Sequence, residues 1–174
     1  MPKIIENLRE QLLVETKKQI LDRGYANTTI RSVAKACGVG VGTVYNYFES
    51  KEMLVASFVF ERWKAYLDAM ENLPTSDPQK LLEGVYNLLK DFSEENKGLF
   101  CDPDAARQVP TGPSDRHKML RAQIAAYVLP VCVGDRAQFI SEFIAEALIT
   151  WSVENVDFEA LYPLIERVIK NNNT

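Results

Sequence analysis

The sequence predicts an all-α protein. Apolar residues recur at spacings of three and four along nearly all of its 174 residues, and no segment sustains the alternation of a strand. The breaks fall at helix-ending residues: Gly24, Gly38 and the stretch Pro74-Thr75-Ser76-Asp77-Pro78. An apolar fraction of 47% is that of an ordinary globular chain with a real core. The expected organisation is a three-helix, helix-turn-helix domain over residues 1–50, followed by a helical domain over 51–174.

Each element has its own signals. The first helix is expected from about Pro2 to Arg23, with Leu8, Leu12, Leu13, Thr16 and Ile20 as its apolar stripe and Gly24 as its stop. Thr28 and Thr29 offer a cap for a short helix to about Cys37, with Ile30, Val33 and Ala34 facing inward. Gly38-Val39-Gly40 reads as a tight turn, and Val41 to Tyr47 as a helix of barely two turns. Ser50 caps a longer helix from Lys51 to about Glu71. Asp77 with Pro78 starts the next, which is expected to end near Asn96 before Gly98. Asp102-Pro103 opens a short helix to about Gln108. A further helix runs from Ser114 to about Val133, with Pro130 bending its last turn. Asp135 to Val153 follows, and Asp157 caps the last helix.

Composition narrows the classes. No apolar run approaches the roughly 18 residues that a membrane span needs, and the start, Met1-Pro2-Lys3-Ile4-Ile5-Glu6, lacks the apolar centre of a secretory signal. A cytoplasmic protein without membrane contact is expected. Cys37, Cys101 and Cys132 are widely separated and His117 is the sole histidine, so no metal site and no cofactor are expected. The net charge of -4 hides an asymmetry: residues 1–52 hold 8 Lys/Arg against 6 Asp/Glu, and the remainder holds 12 against 18. A local basic excess on an acidic protein permits a nucleic-acid partner.

The informative segment runs from Thr28 to Leu54. Small residues Ala34 and Ala36 let two short helices cross closely, and Gly38 permits a left-handed turn. Val33, Val39, Val44 and Phe48 are spaced to plug the angle between them. The second helix is poor solvent-facing helix chemistry but good groove chemistry. Gly42 lets backbone approach a base or phosphate, Thr43 suits a thymine methyl, Asn46 an adenine edge, and the Tyr45 and Tyr47 hydroxyls phosphate oxygens. Lys51 would add a full charge beside the helix start at Ser50. Arg31 and Lys35 suit either phosphate contact or a solvated face, and Tyr47 either the surface or the packing under Phe48. The glycines of Gly38-Val39-Gly40-Val41-Gly42 follow no strand and precede no Gly-Lys-Ser/Thr, which argues against a nucleotide loop.

Gly38-Val39, Gly42-Thr43-Val44-Tyr45, Tyr47-Phe48, Ser50-Lys51-Glu52 and Leu54 resemble the DNA-binding region of the tetracycline-repressor (TetR) family over about residues 8–56. Cys37 and Gly40 depart from that pattern, where alanine and serine are usual, and Gly40 removes a capping hydroxyl. The resemblance implies a repressor that binds double-stranded operator DNA as a homodimer and is released by a small-molecule effector. It implies contacts to DNA from Thr28, Thr29, Val41, Gly42, Thr43, Tyr45, Asn46, Tyr47 and Lys51, to which the local chemistry adds Arg31.

The remaining residues would then sense and dimerise. Phe139, Phe143 and Ala147, with Phe158, Leu161, Tyr162, Ile165 and Ile169, give two adjacent helices wide apolar faces, suited to an intersubunit bundle or to a monomer core. Tyr66, Tyr86, Phe92, Phe100, Met119, Tyr127 and Trp151 are candidates to line an apolar ligand cavity, or to fill the core. Two other classes compete. An all-helical enzyme would draw on acids such as Asp91, Glu94, Glu95, Asp102 and Asp104, but no partnered nucleophile accompanies them. A helix-turn-helix regulator governed by a protein partner would dispense with the cavity.

Overall fold

The computed structural model describes residues 6–102, 104–105 and 113–171. Among them are eight α-helices: α1 (Leu8–Asn27), α2 (Ile30–Ala36), α3 (Val41–Tyr45), α4 (Lys51–Glu71), α5 (Pro78–Phe100), α6 (Pro113–Val128), α7 (Ala137–Val153) and α8 (Phe158–Asn171). No described residue lies in a strand. No described helix is long and apolar enough to cross a membrane.

The punctuation works locally as the residue types dictate. Gly24 leaves helical geometry at φ 81°, ψ 166°, but a further turn runs on to Asn27. Pro2 lies outside the described residues. Thr29 caps α2, its Oγ1 accepting from the Ser32 N–H at 3.0 Å while Ser32 Oγ accepts from the Thr29 N–H. Gly38 adopts φ +69°, the left-handed turn that only glycine enters without strain. Ser50 Oγ accepts from Met53 N–H, and Asp77 Oδ1 from Lys80 N–H, each at 3.2 Å.

Two ends differ from expectation for tertiary reasons. Helix α5 does not stop near Asn96; it continues through Gly98 to Phe100 because Leu99 is buried in a cluster with Ile20, Tyr25, Val55 and Ala105. The helix expected to reach Val133 ends at Val128, and a 3-10 turn over Leu129–Val131 takes up Pro130, which has no N–H for the α ladder. Asp102 Oδ1 accepts from Asp104 and Ala105 N–H, as a helix start would; most of the short helix expected there lies outside the described residues.

The chain forms two compact units. The first comprises Met1–Trp63 with Asn96–Pro110, the second Lys64–Glu95 with Thr111–Thr174. An expected division after Ser50 thus meets a structural boundary further on, because the first turns of α4 carry Leu54 and Phe58 into the first unit's core. In the second unit α6 and α7 pack along one another. Tyr86 of α5 fixes the end of α7, its hydroxyl donating to the Trp151 carbonyl at 3.2 Å and to that of Val156. His117 Nε2 lies 2.8 Å from both carboxylate oxygens of Glu146, joining α6 to α7. The cysteines are free: Cys132 is buried, with its thiol pushed up to about 11 by burial, Cys37 is half-buried and Cys101 is exposed.

Tyr25 is the titratable group most altered by folding in the first unit. Burial, then the neighbouring Glu52 carboxylate, push its phenol from 10.0 up to about 12. The folded state therefore prefers the neutral phenol. Its contribution is complete below pH 10 and is lost as the pH rises through about 12. Urea unfolding should show stability falling by about 2–3 kcal/mol across that window. The Tyr25→Phe protein should lack this limb; an unchanged alkaline limb in that variant would show that Tyr25 is not its source.

Candidate nucleic-acid interface

The first unit is built around one cluster: Leu8, Leu12 and Leu13 of α1, Ile30, Val33 and Ala34 of α2, Val44 of α3, Phe48, and Leu54 and Phe58 of α4. Val39 and Val41, on either side of Gly40, are partly buried against it. The plug expected from Val33, Val39, Val44 and Phe48 is thus assembled. It has a consequence for α3. Val44 is 0% exposed and faces inward, so the other edges of this five-residue helix are turned outward.

That outer surface carries Gly42, Tyr45 and Asn46, all exposed, with Val41 and Thr43 half-buried beside them. Tyr45 is 51% exposed and Tyr47 47%. Tyr47 therefore stands at the surface, its ring 6.5 Å from that of Phe48 and tilted by 37°. A Cβ at Gly42 would meet nothing, so the backbone there is open to a large partner. Gly40 caps α3 without a side-chain hydrogen bond, as its lack of a hydroxyl requires.

Three expected contacts are placed differently. Thr28 is buried, its Oγ1 donating to the Gly24 carbonyl at 3.0 Å; it stitches the α1–α2 connection and faces away from solvent. Lys51 is half-buried, with Nζ 2.5 Å from the Tyr25 carbonyl oxygen and 3.7 Å from the centre of the Tyr25 ring. Burial holds its pKa below the ordinary lysine value. The ammonium expected on the outer surface instead ties α4 to α1. Thr29 is exposed, but its hydroxyl is already engaged in the cap of α2. Arg31 is exposed on the same helix.

Gln19 was not anticipated. It is buried in α1, and its amide joins Glu15, Arg23 and Ser32. The signal was present in the spacing: position 19 lies seven residues after Leu12 and three after Thr16, on the apolar stripe, where a polar residue needs partners.

In the second unit the aromatic candidates fall into pairs. Tyr66 and Phe92 meet edge to face with ring centres 5.3 Å apart. Tyr86 reaches the Trp151 carbonyl, and Tyr127 donates to the Leu67 carbonyl at 3.2 Å. Met119 is exposed, and Phe100, also exposed, belongs to the first unit. Of the candidate dimer residues, Phe158, Leu161 and Ile165 are buried within the protomer. Tyr162, Ile169 and Ala147 are half-buried. Phe139 and Phe143 face solvent, Phe139 at 72% exposure, and so does Leu164 of α8.

Comparison with known proteins places this geometry. Residues 12–58 match the family described as "Bacterial regulatory proteins, tetR family". An HTH-type transcriptional regulator of Bacillus subtilis, YuxN, is 38% identical over 52 residues, covering 29% of this chain and 18% of that protein. The HTH-type transcriptional repressor KstR2 of Mycolicibacterium smegmatis is 29% identical over 85 residues, 45% of this chain and 39% of its own length. The chain thus spans well under half of these relatives. Along its length it shares the fold of a solved TetR-family transcriptional regulator from Haemophilus influenzae, with a TM-score of 0.58 at 15% identity, covering 93% of this chain and 94% of that one. Residues 12–58 thus match a segment of the tetR family of bacterial regulatory proteins, and the fold along almost the whole chain is one that a solved regulator of that family also has.

Proposed function

We propose that the chain is a transcriptional regulator, a repressor, that grips operator DNA as a homodimer and is released by a small-molecule effector. The observation that carries the reading is the two-sidedness of α3: Val44 is wholly buried, while Gly42, Tyr45, Asn46 and Tyr47 stand outward. A helix held by one edge against a core, with small, amide and phenolic groups on the other, fits the major groove. Arg31, at the exposed side of α2, supplies a phosphate-backbone contact. The match of residues 12–58 to a family of bacterial regulators, and the printed name of KstR2 as a repressor, support both the activity and its sign.

Operators for such heads are read by two copies. The exposed Phe139, Phe143 and Leu164 on α7 and α8 are a surface on which a second copy can bury apolar area in a four-helix arrangement. The second unit would hold the effector among the aromatic residues around Tyr66, Phe92 and Tyr127. Helix α4, 21 residues and so about 30 Å long, is continuous from the first unit into the second. An effector that prefers one tilt of α4 alters the separation of the two recognition helices, which must meet grooves about 34–36 Å apart. DNA and effector then weaken one another reciprocally. The sequence matches rest on the head, so the effectors of relatives do not carry over.

Replacing Tyr45 and Asn46 together by alanine should lower affinity for the protein's own promoter duplex by about ten- to a hundredfold. Melting should stay unchanged, since both side chains are exposed; undiminished binding would remove the recognition surface from this account. Sedimentation of the Phe139→Glu, Phe143→Glu protein should show a folded monomer that binds the promoter poorly. Persistence of the dimer would place the subunit interface elsewhere.

A further inference from the structure

We propose that Arg23, at the end of α1, is a phosphate-backbone contact of the reading head, and that the buried Gln19 is the residue that positions it. This rests on the reading of the first unit as a DNA-binding head, and it adds a residue outside the recognition helix.

The guanidinium of Arg23 donates to Oε1 of Gln19, one turn back on α1. Gln19 is only 6% exposed, and its amide is engaged on every side. Nε2 donates to Glu15 Oε1 at 2.7 Å and to the Ser32 carbonyl at 3.3 Å, while Oε1 also accepts from Ser32 Oγ at 2.6 Å. Ser32 in turn closes the capping box with Thr29. Arg23 and Ser32 thus donate to one and the same oxygen, which fixes the guanidinium against the first turn of α2, the turn that carries exposed Thr29 and Arg31.

Among the described residues neither Arg23 nor Arg31 forms an ion pair, and Glu15, the carboxylate closest to the network, sits on the nitrogen end of the Gln19 amide. Surface arginines commonly rotate freely or pair with an acid. Here a neutral, buried amide oxygen orders the side chain in place of a carboxylate, and most of its N–H donors remain for an outside acceptor. A fixed guanidinium on the rim of a head whose recognition helix faces a groove suits the phosphate oxygens of the flanking strand, a contact that carries no sequence information.

The test is equilibrium binding of the full-length protein to a mixed-sequence duplex without the operator, across a salt series, because a backbone contact acts on any sequence. Arg23→Gln should weaken binding several-fold at low salt and reduce the slope of log affinity against log salt by about 0.9 per protomer. Arg23→Lys should keep the slope, since the charge persists, and recover part of the affinity. Gln19→Met should also keep the slope but weaken binding, because the charge remains and only its placement is lost. If Arg23→Gln retains the parental slope and affinity, or if it merely lowers the melting temperature with the slope unmoved, the proposal is overturned. Absence of salt-dependent duplex binding by the parent protein would instead overturn the DNA-binding reading itself, whatever the variants do.

Discussion

The head depends on the packing of Val44 and Phe48 against α1, α2 and the start of α4. A helix of five residues has no stability of its own, since nucleation fixes several residues for one hydrogen bond. Its conformation is held by what it buries. Val44, fully buried in the cluster that also holds Leu12, Val33, Ala34 and Leu54, fixes the rotation of α3 about its axis, and Phe48 fixes where the chain leaves it. Turning α3 by roughly a third of a revolution would bring Tyr45 or Thr43 into a dry core, at a desolvation cost of order 1–3 kcal/mol for an unpaired polar group. The outward display of groove-compatible side chains therefore follows from the inward demand of a valine.

A second, polar layer fixes the helices on either side. At the α1–α2 junction, Thr29, Ser32 and Gln19 satisfy one another's donors and acceptors and the Thr28 hydroxyl donates to the Gly24 carbonyl, so directional bonds set this connection. At the α1–α4 junction, Lys51 bridges to the carbonyl and ring of Tyr25, whose hydroxyl donates to Glu52 at 3.4 Å. Both junctions lie within the first unit, and Leu99 and Ala105, of the same unit, cluster with Tyr25 and Val55 at the α1–α4 junction. The first unit is thus completed by residues that follow its α1–α4 segment in sequence by some forty positions.

The helices themselves were legible because their signals are local. Gly38 needed a left-handed turn, Ser50 and Asp77 had free hydroxyl or carboxylate groups ahead of an apolar run, and the spacing of Val33, Val44 and Phe48 named the plug. What could not be read was which neighbour an exposed-looking group would choose. Lys51 in a helix start suits a phosphate as well as the Tyr25 carbonyl, and only the crossing of α1 over α4 decides. Periodicity likewise marks an apolar stripe without saying what covers it. Phe158, Leu161 and Ile165 lie in the protomer, whereas Phe139 and Phe143 face solvent. Helix α5 ran past Gly98 because a distant cluster rewards burial of Leu99, a cause with no local trace.

The central claim, that the buried edge of α3 presents its opposite edge to duplex DNA, is tested most directly by tyrosine-selective chemical labelling read by mass spectrometry, with and without the promoter duplex. Tyr45 and Tyr47 should be labelled in the free protein and protected in the complex, while buried Tyr25 and Tyr86 remain unreactive in both. Labelling of Tyr45 and Tyr47 that is undiminished when the duplex is bound would contradict the account.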